Sequence, residues 1–282
     1  MIFNVKRPAA QARAQVAINR RQDTLERNFR KRVRTLLNQQ YAAASRAVAR
    51  GNDVDAVIDS FTGQLRRIFA EEYTRAAETF YGIVDQSLKN AKATESILEY
   101  KGMKDEFWAR FFGYVRKKVA QKVAWVNDTT KANIRAIVEL GKADGKSVNL
   151  IAEDIWSSTN QDINFKRAVR IARTEVHAAS NTATQAAVES TGLTGLTREW
   201  IAMADERVRS SHRKAHGQVR GMDEAFDVNG EELQFPGDPK GSAGNVINCR
   251  CILIYHTGRG EDRTAARRRE QEQLSRMRSA YE

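Results

Sequence analysis

The chain has 282 residues, enough for one large or two modest domains with a real core. Its 41% hydrophobic and 29% charged residues fit a helical protein with long exposed faces and argue against disorder, and no apolar run approaches the roughly 20 residues of a membrane helix. Lysine and arginine number 47 against 35 acids, a net charge of +12, which points to an anionic partner: nucleic acid, an acidic protein surface or anionic lipid.

The first residues, Met1 to Pro8, lack the apolar core of a signal peptide. The two cysteines, Cys249 and Cys251, are one residue apart. In a regular strand that spacing strains a mutual disulfide, so synthesis in a reducing cytosol is expected.

Residues 1–40 carry ten cations (Lys6, Arg7, Arg13, Arg20, Arg21, Arg27, Arg30, Lys31, Arg32, Arg34) against Asp23 and Glu26, a local charge of +8. From Leu25 an apolar stripe runs through Phe29, Val33, Leu36, Leu37, Tyr41, Ala44 and Val48, the spacing of one helix face. The first 20 residues have a poorer stripe and read as a mobile basic arm. Arg20, Arg21, Arg27, Arg30, Lys31, Arg32 and Arg34 are its candidate contacts to nucleic acid or to an acidic partner surface. Gly51-Asn52 should end this helix.

Asp53 is a candidate N-cap for a long amphipathic helix from Val54 to Leu88. Lys101-Gly102 reads as a break. A third stripe runs from Phe107 and Trp108 to Val126, and its aromatics read as core. Asp128 is expected to cap a further helix, Thr129 to Leu140, closed by Gly141, with a turn over 142–146. A short helix over 148–156 follows. Over 163–190 the residues Phe165, Val169, Ala172, Val176, Ala179, Ala183 and Ala186 make a heptad-like seam whose alanines permit close approach. Gly192 closes it. Five or six helices without a fixed repeat suggest an elongated helical bundle.

The grammar changes after Gly192. Leu196 to Met203 reads as a strand, with Leu196 and Trp200 on one side. Asp205 is expected to cap a short helix through Ala215, stopped by Gly217. Asn229-Gly230 between apolar positions is a hairpin signal, because both residues tolerate positive φ. Pro236-Gly237-Asp238-Pro239 opens a loop without the glycine-rich strand-to-helix context of a phosphate cradle. Val246 to His256 reads as a last strand. The fold class is therefore α+β: a mainly helical N-terminal part, then a small α+β C-terminal domain with a β-hairpin. The expected divisions are a basic helical arm over 1–50, a bundle over 51–192, the small domain over 193–257 and a charged tail over 258–282.

Three readings compete for Asp205, Arg207, His212, His216, Cys249 and Cys251. His212 and His216 at i,i+4 share a helix face, and two cysteines in a strand share a face, so the four could hold tetrahedral zinc. Asp205, His212 and a cysteine could act as orienter, base and nucleophile, although no local signature supports this. In the structural reading, Asp205 and Arg207 pair with the chain around Cys249-Arg250-Cys251 and lock helix to strand.

The ordered set Arg173-Thr174-Glu175, Trp200, Asp205-Glu206-Arg207-Val208-Arg209-Ser210-Ser211-His212, Gly217, Pro236-Gly237-Asp238-Pro239 and Asn248-Cys249-Arg250-Cys251 resembles the phage Mu F-like head-morphogenesis family, over about residues 145–256. The resemblance implies a minor head protein of a tailed bacteriophage. Such a protein is made in the bacterial cytoplasm and carried in the capsid interior. The implied partners are the portal protein, the capsid interior or scaffold, and double-stranded DNA bound without sequence preference, with no membrane during assembly. It also implies Asp205, Arg207, His212, Gly217, Cys249, Arg250 and Cys251 as a structural motif, with no enzymatic activity and no cofactor. Some relatives carry extra cysteines just before the His212 position, where this chain has Val208 and Ser211, and His216 falls where many have no ligand. These departures weigh against zinc. Related domains can be fused to toxin or nuclease modules, for which no room is expected after residue 258. The alternatives are a nuclease- or transferase-like enzyme using Asp205, Arg207 and His212, and a zinc-stabilised nucleic-acid-binding module.

Overall fold

A computed structural model describes residues 8–90, 103–159 and 162–257. The expected break at 101–102, the cations Lys6 and Arg7, and the charged tail lie outside the described residues. The element order is α1 Pro8–Ala49, α2 Val54–Asp59, α3 Thr62–Asn90, α4 Met103–Ala143, α5 Val148–Ser157, α6 Asp162–Glu189, β1 Leu196–Ile201, α7 Ser210–Ala215, β2 Val219–Gly221, β3 Phe226–Val228, β4 Glu231–Leu233, α8 Ala243–Val246 and β5 Ile252–Thr257. Long helices followed by short antiparallel strands make the fold α+β, as expected.

The chain divides into two compact units. One draws on Met1–Asp23, Ala76–Phe111 and Thr174–Glu282, the other on Thr24–Arg75 and Phe112–Arg173. Helices α1, α3, α4 and α6 each contribute a segment to both.

The second unit is wholly helical. Phe29, Val33, Leu36 and Leu37 of α1 are buried, as are Leu65, Phe69 and Tyr73 of α3 and Val119, Val123 and Val126 of α4. Phe29 meets Phe69 edge to face, with ring centroids 5.0 Å apart, a favoured aromatic geometry. Tyr41, Ala44, Ile58, Ile134, Ile151 and Ile155 form a hydrophobic cluster in this unit. A buried polar network crosses it: Gln40 Nε2 donates to Asn127 Oδ1 at 2.9 Å, and Asn127 Nδ2 donates to Thr62 Oγ1 at 2.9 Å.

Three helix boundaries differ from the sequence reading. Asp53 caps α2, accepting from the backbone N–H of Asp55 and Ala56, but α2 ends at Asp59 and α3 starts anew at Thr62. Asp128 caps nothing, because α4 continues through it. Thr129 and Thr130 instead bond back to the carbonyls of Trp125 and Val126, which keeps both hydroxyls satisfied inside a helix. Gly141 lies within α4 rather than ending it. A Cβ there would come 2.5 Å from Ile151 Cγ1, so this glycine serves close approach of α5.

The first unit holds both sheets. β1 is the central strand of the order β2-β1-β5, antiparallel to both neighbours, and pairs Arg198 with Arg220 on one side and Tyr255 on the other. β3 and β4 form the expected hairpin, with Asn229 at φ 61° and Gly230 at φ 81°. The stretch from Pro8 to Asp23 is helical and packs within this unit, in place of a mobile arm. Gln11 Nε2 donates to Glu199 Oε2 at 3.0 Å, and Gln15 Nε2 donates to the Ala202 carbonyl at 3.1 Å. β1 does not alternate in burial. Arg198 is fully buried on this strand. Its guanidinium donates to the carbonyls of Gly221, Glu224 and Gln234.

Candidate functional site

The site is assembled where the loop after β1, helix α7 and the loop before β5 converge. Asp205 does not cap α7, which begins at Ser210. It makes a local turn instead, Oδ1 accepting from the Arg207 backbone N–H at 3.1 Å. Its carboxylate receives both terminal nitrogens of Arg250, at 2.6 and 2.7 Å. This two-pronged ion pair is the geometry that guanidinium and carboxylate favour. The Arg250 guanidinium holds the Asp205 carboxyl below its ordinary range, and Asp205 raises Arg250 in turn. The Arg209 guanidinium donates to the Ile247 carbonyl, and Arg213 Nη1 donates to the Val208 carbonyl at 2.6 Å. The Arg207 side chain is exposed.

α7 places His212 in the interior. Its ring lies edge to face with Trp200, centroids 5.8 Å apart. At the end of α7, Gly217 takes φ 83° and donates its N–H to the Trp200 carbonyl at 2.8 Å. His216 falls beyond the helix, and its Nδ1 accepts the Ala202 backbone N–H at 3.1 Å.

Neither cysteine lies in a strand, because β5 starts only at Ile252 and α8 replaces the start of the expected strand. The intervening loop turns at Asn248, whose φ is 58° and whose backbone N–H donates to Thr174 Oγ1 at 3.0 Å. Asn181 of α6 holds the same loop from behind. Its Nδ2 donates to the carbonyls of Pro236 at 2.8 Å and Cys251 at 3.2 Å. The turn brings both sulfurs onto one imidazole nitrogen: His212 Nδ1 is 3.3 Å from Cys251 Sγ and 3.6 Å from Cys249 Sγ. The three donor atoms lie within 4.8 Å of one another, all three residues are buried, and both cysteines are free. The hydrogen bond from Cys251, with His212 adding to it, pulls the Cys249 thiol well down. Burial pushes Cys251 well up.

The structure thus gathers His212, Cys249 and Cys251 into one cluster and Asp205 with Arg250 into an ion pair, and it leaves His216 and Arg207 outside both. The sequence reading missed Asn181, Thr174 as a loop anchor, and Arg198. A polar Asn in the middle of an alanine seam was the signal available for the first.

The family comparison covers the same ground. Residues 115–254 match the family described as Phage Mu protein F like protein. Over this stretch the chain resembles the phage Mu F-like family. The match begins earlier than residue 145, taking in most of α4, and it contains every residue of the cluster. Two curated relatives are similar to about half of the chain. The NAD(+)--arginine ADP-ribosyltransferase EFV of Enterococcus faecalis (strain ATCC 700802 / V583) is 29% identical over 140 residues, which is 49% of this chain and 28% of that protein. The minor head protein GP7 of Bacillus phage SPP1 is 29% identical over 137 residues, 48% of this chain and 42% of that protein. The chain spans less than half the length of either relative. No solved structure matches.

Proposed function

We propose that this protein is a minor head protein of a tailed bacteriophage, a structural component docked on the portal vertex inside the capsid and in contact with packaged DNA. The observation that carries this reading is the Mu F-like match over 115–254 together with the likeness to a phage minor head protein over 137 residues. The protein would be made in the bacterial cytoplasm and carried in the virion. Among the described residues no helix is long and apolar enough to cross a membrane.

The contact surface proposed for DNA or for an acidic portal patch is α1. Of its seven candidate cations, Arg32 is engaged by Glu71 and Glu72, and Arg30 and Arg34 both lie over the Phe165 ring, 5.3 Å from its centroid. Arg20, Arg21, Arg27, Lys31 and Arg34 are exposed, which suits sequence-blind phosphate contact.

A structural rather than catalytic role is favoured by the state of the three residues an enzyme would use. Asp205 is tied to Arg250, Arg207 points outward, and His212 is turned in on two thiols. The likeness to a transferase covers 28% of that enzyme and leaves the rest of it unmatched.

Co-expression with the neighbouring phage structural proteins, followed by pull-down, tests the proposal. Recovery of a portal protein is the expected result. Failure to recover one, together with unchanged virion infectivity on deletion, would overturn it. DNA affinity should fall steeply with salt. Replacing Arg20, Arg21, Arg27 and Lys31 by Gln should flatten that dependence by about 0.9 in slope per lost phosphate contact.

A further inference from the structure

The buried His212, Cys249 and Cys251 cluster is used by nothing in the head-protein reading. We propose that it binds a zinc ion, with two thiolates and one imidazole as protein ligands. Distance, charge and scaffold all lead there, and none depends on the head-protein reading.

The first is distance. Zinc takes thiolates at about 2.3 Å and imidazole at about 2.0–2.1 Å in a tetrahedron, so ligand atoms sit about 3.6 Å apart from nitrogen to sulfur and about 3.8 Å from sulfur to sulfur. The observed 3.3 and 3.6 Å from His212 Nδ1 to the two sulfurs fall on that edge length. The sulfurs also lie within the cluster's 4.8 Å span. Only a small movement would open the centre to an ion.

The second is charge. Two thiolates and one neutral imidazole cancel a divalent cation, so the filled site carries no net charge into a buried place, where a net charge would be costly. On binding, the two cysteines release their remaining thiol protons to solvent. The soft donor set selects zinc over magnesium or calcium, which take oxygen.

The third is the scaffold. The cysteine loop is pinned by Asn181 and Thr174, and Arg250 is turned away to Asp205. The Trp200 indole N–H has no acceptor of ordinary geometry among the described residues, yet it lies beside Cys251. A metal-bound thiolate would supply that acceptor. Among the described residues no fourth His, Cys, Asp or Glu joins the group, and His216 Nδ1 is occupied by the Ala202 N–H. The fourth vertex therefore falls to a solvent oxygen. The ion would fasten α7 to the loop before β5 in a unit of short strands, where metal binding substitutes for core.

The test uses the full chain with any affinity tag removed. Elemental analysis after zinc loading and dialysis should find about one zinc per chain, and about none in Cys251→Ser. Because loss of a cysteine can itself prevent folding, wild-type protein carries two further measurements. X-ray absorption should show two sulfur ligands at about 2.3 Å with lighter atoms completing the shell. Cobalt(II) substitution should give a tetrahedral spectrum with thiolate-to-cobalt charge transfer. Zinc held below about a tenth per chain in folded wild type, a shell of oxygen and nitrogen only, or recovery of a Cys249–Cys251 disulfide would each overturn the proposal.

Discussion

Arg250 presents both guanidinium nitrogens to the Asp205 carboxylate, at 2.6 and 2.7 Å, across 45 residues of sequence. The pair ties the loop after β1 to the cysteine loop. It is partly solvated, with side chains 23% and 34% exposed, so its contribution is modest. Asp205→Asn should cost about 1 kcal/mol at neutral pH. The sign of the pH dependence follows from the depressed Asp205 pKa. A lowered carboxyl pKa contributes stability above the unfolded value of about 4, and that contribution is lost as pH falls through the folded value. Denaturant midpoints of wild type and Asp205→Asn should therefore converge below about pH 4. A gap that stays constant from pH 7 to pH 3 would show that the charge is not what matters.

Arg198 lies fully buried on the central strand, over the Phe226 ring at 5.3 Å. It fills a cage of backbone carbonyls from β2, the turn after it and the segment after β4, with Gln185 and Gln234 side chains completing the set. Burial lowers its pKa, and a guanidinium in a protein remains charged. Arg198→Met keeps much of the volume and strands several carbonyls without donors. It should cost about 3 kcal/mol or more. Arg198→Lys should recover only part of this, because an ammonium cannot reproduce the planar fork. Equal stability of the two variants would indicate that volume, not the fork, sets the requirement.

Gly237 takes φ 82° in the Pro236–Pro239 loop, and a Cβ there would stand 3.2 Å from Ala178 Cα. Both the backbone conformation and the close approach exclude a side chain. Gly237→Ala should lower the thermal midpoint by several degrees, the equivalent of about 1–3 kcal/mol. Gly145→Ala is the control. It shares a positive φ of 67° but has nothing within 4 Å, so it should cost about 1 kcal/mol from strain alone.

These contrasts mark what was legible in the sequence. Periodicity revealed the long helices, because a stripe such as Phe29–Val33–Leu36–Leu37 reports the buried face directly. Asn229-Gly230 revealed the hairpin, because its turn requires positive φ. Helix ends were legible only where a cap acts locally, as at Asp53. At Asp128 and Gly141 the local signal pointed to a boundary, and tertiary packing across α4 overrode it. The cysteine cluster was half legible. The residue types were flagged, but the expected strand would have carried the sulfurs on regular backbone. Their convergence depends on the left-handed Asn248 and on Thr174 and Asn181, which lie far off in sequence. Arg198 was illegible because an arginine reads as surface until its carbonyl cage is known.

Asn181 allows the sharpest separation of geometry from volume. Its amide is buried in α6, and Nδ2 donates to two carbonyls at once, those of Pro236 and Cys251. Asn181→Ala removes the donor and should cost about 1–3 kcal/mol, leaving two acceptors unpaired. Asn181→Asp preserves shape but sets a carboxylate oxygen against both carbonyl oxygens, so it should cost more than the alanine variant at pH 7. Repulsion and burial would raise the new carboxyl's pKa above its unfolded value, so its penalty should shrink as pH falls towards that value, when a protonated oxygen can donate again. Midpoints measured for both variants at pH 7 and pH 5 check this. The aspartate variant should regain stability relative to the alanine variant at the lower pH. Parallel behaviour of the two would mean that the amide fills space there without supporting the cysteine loop.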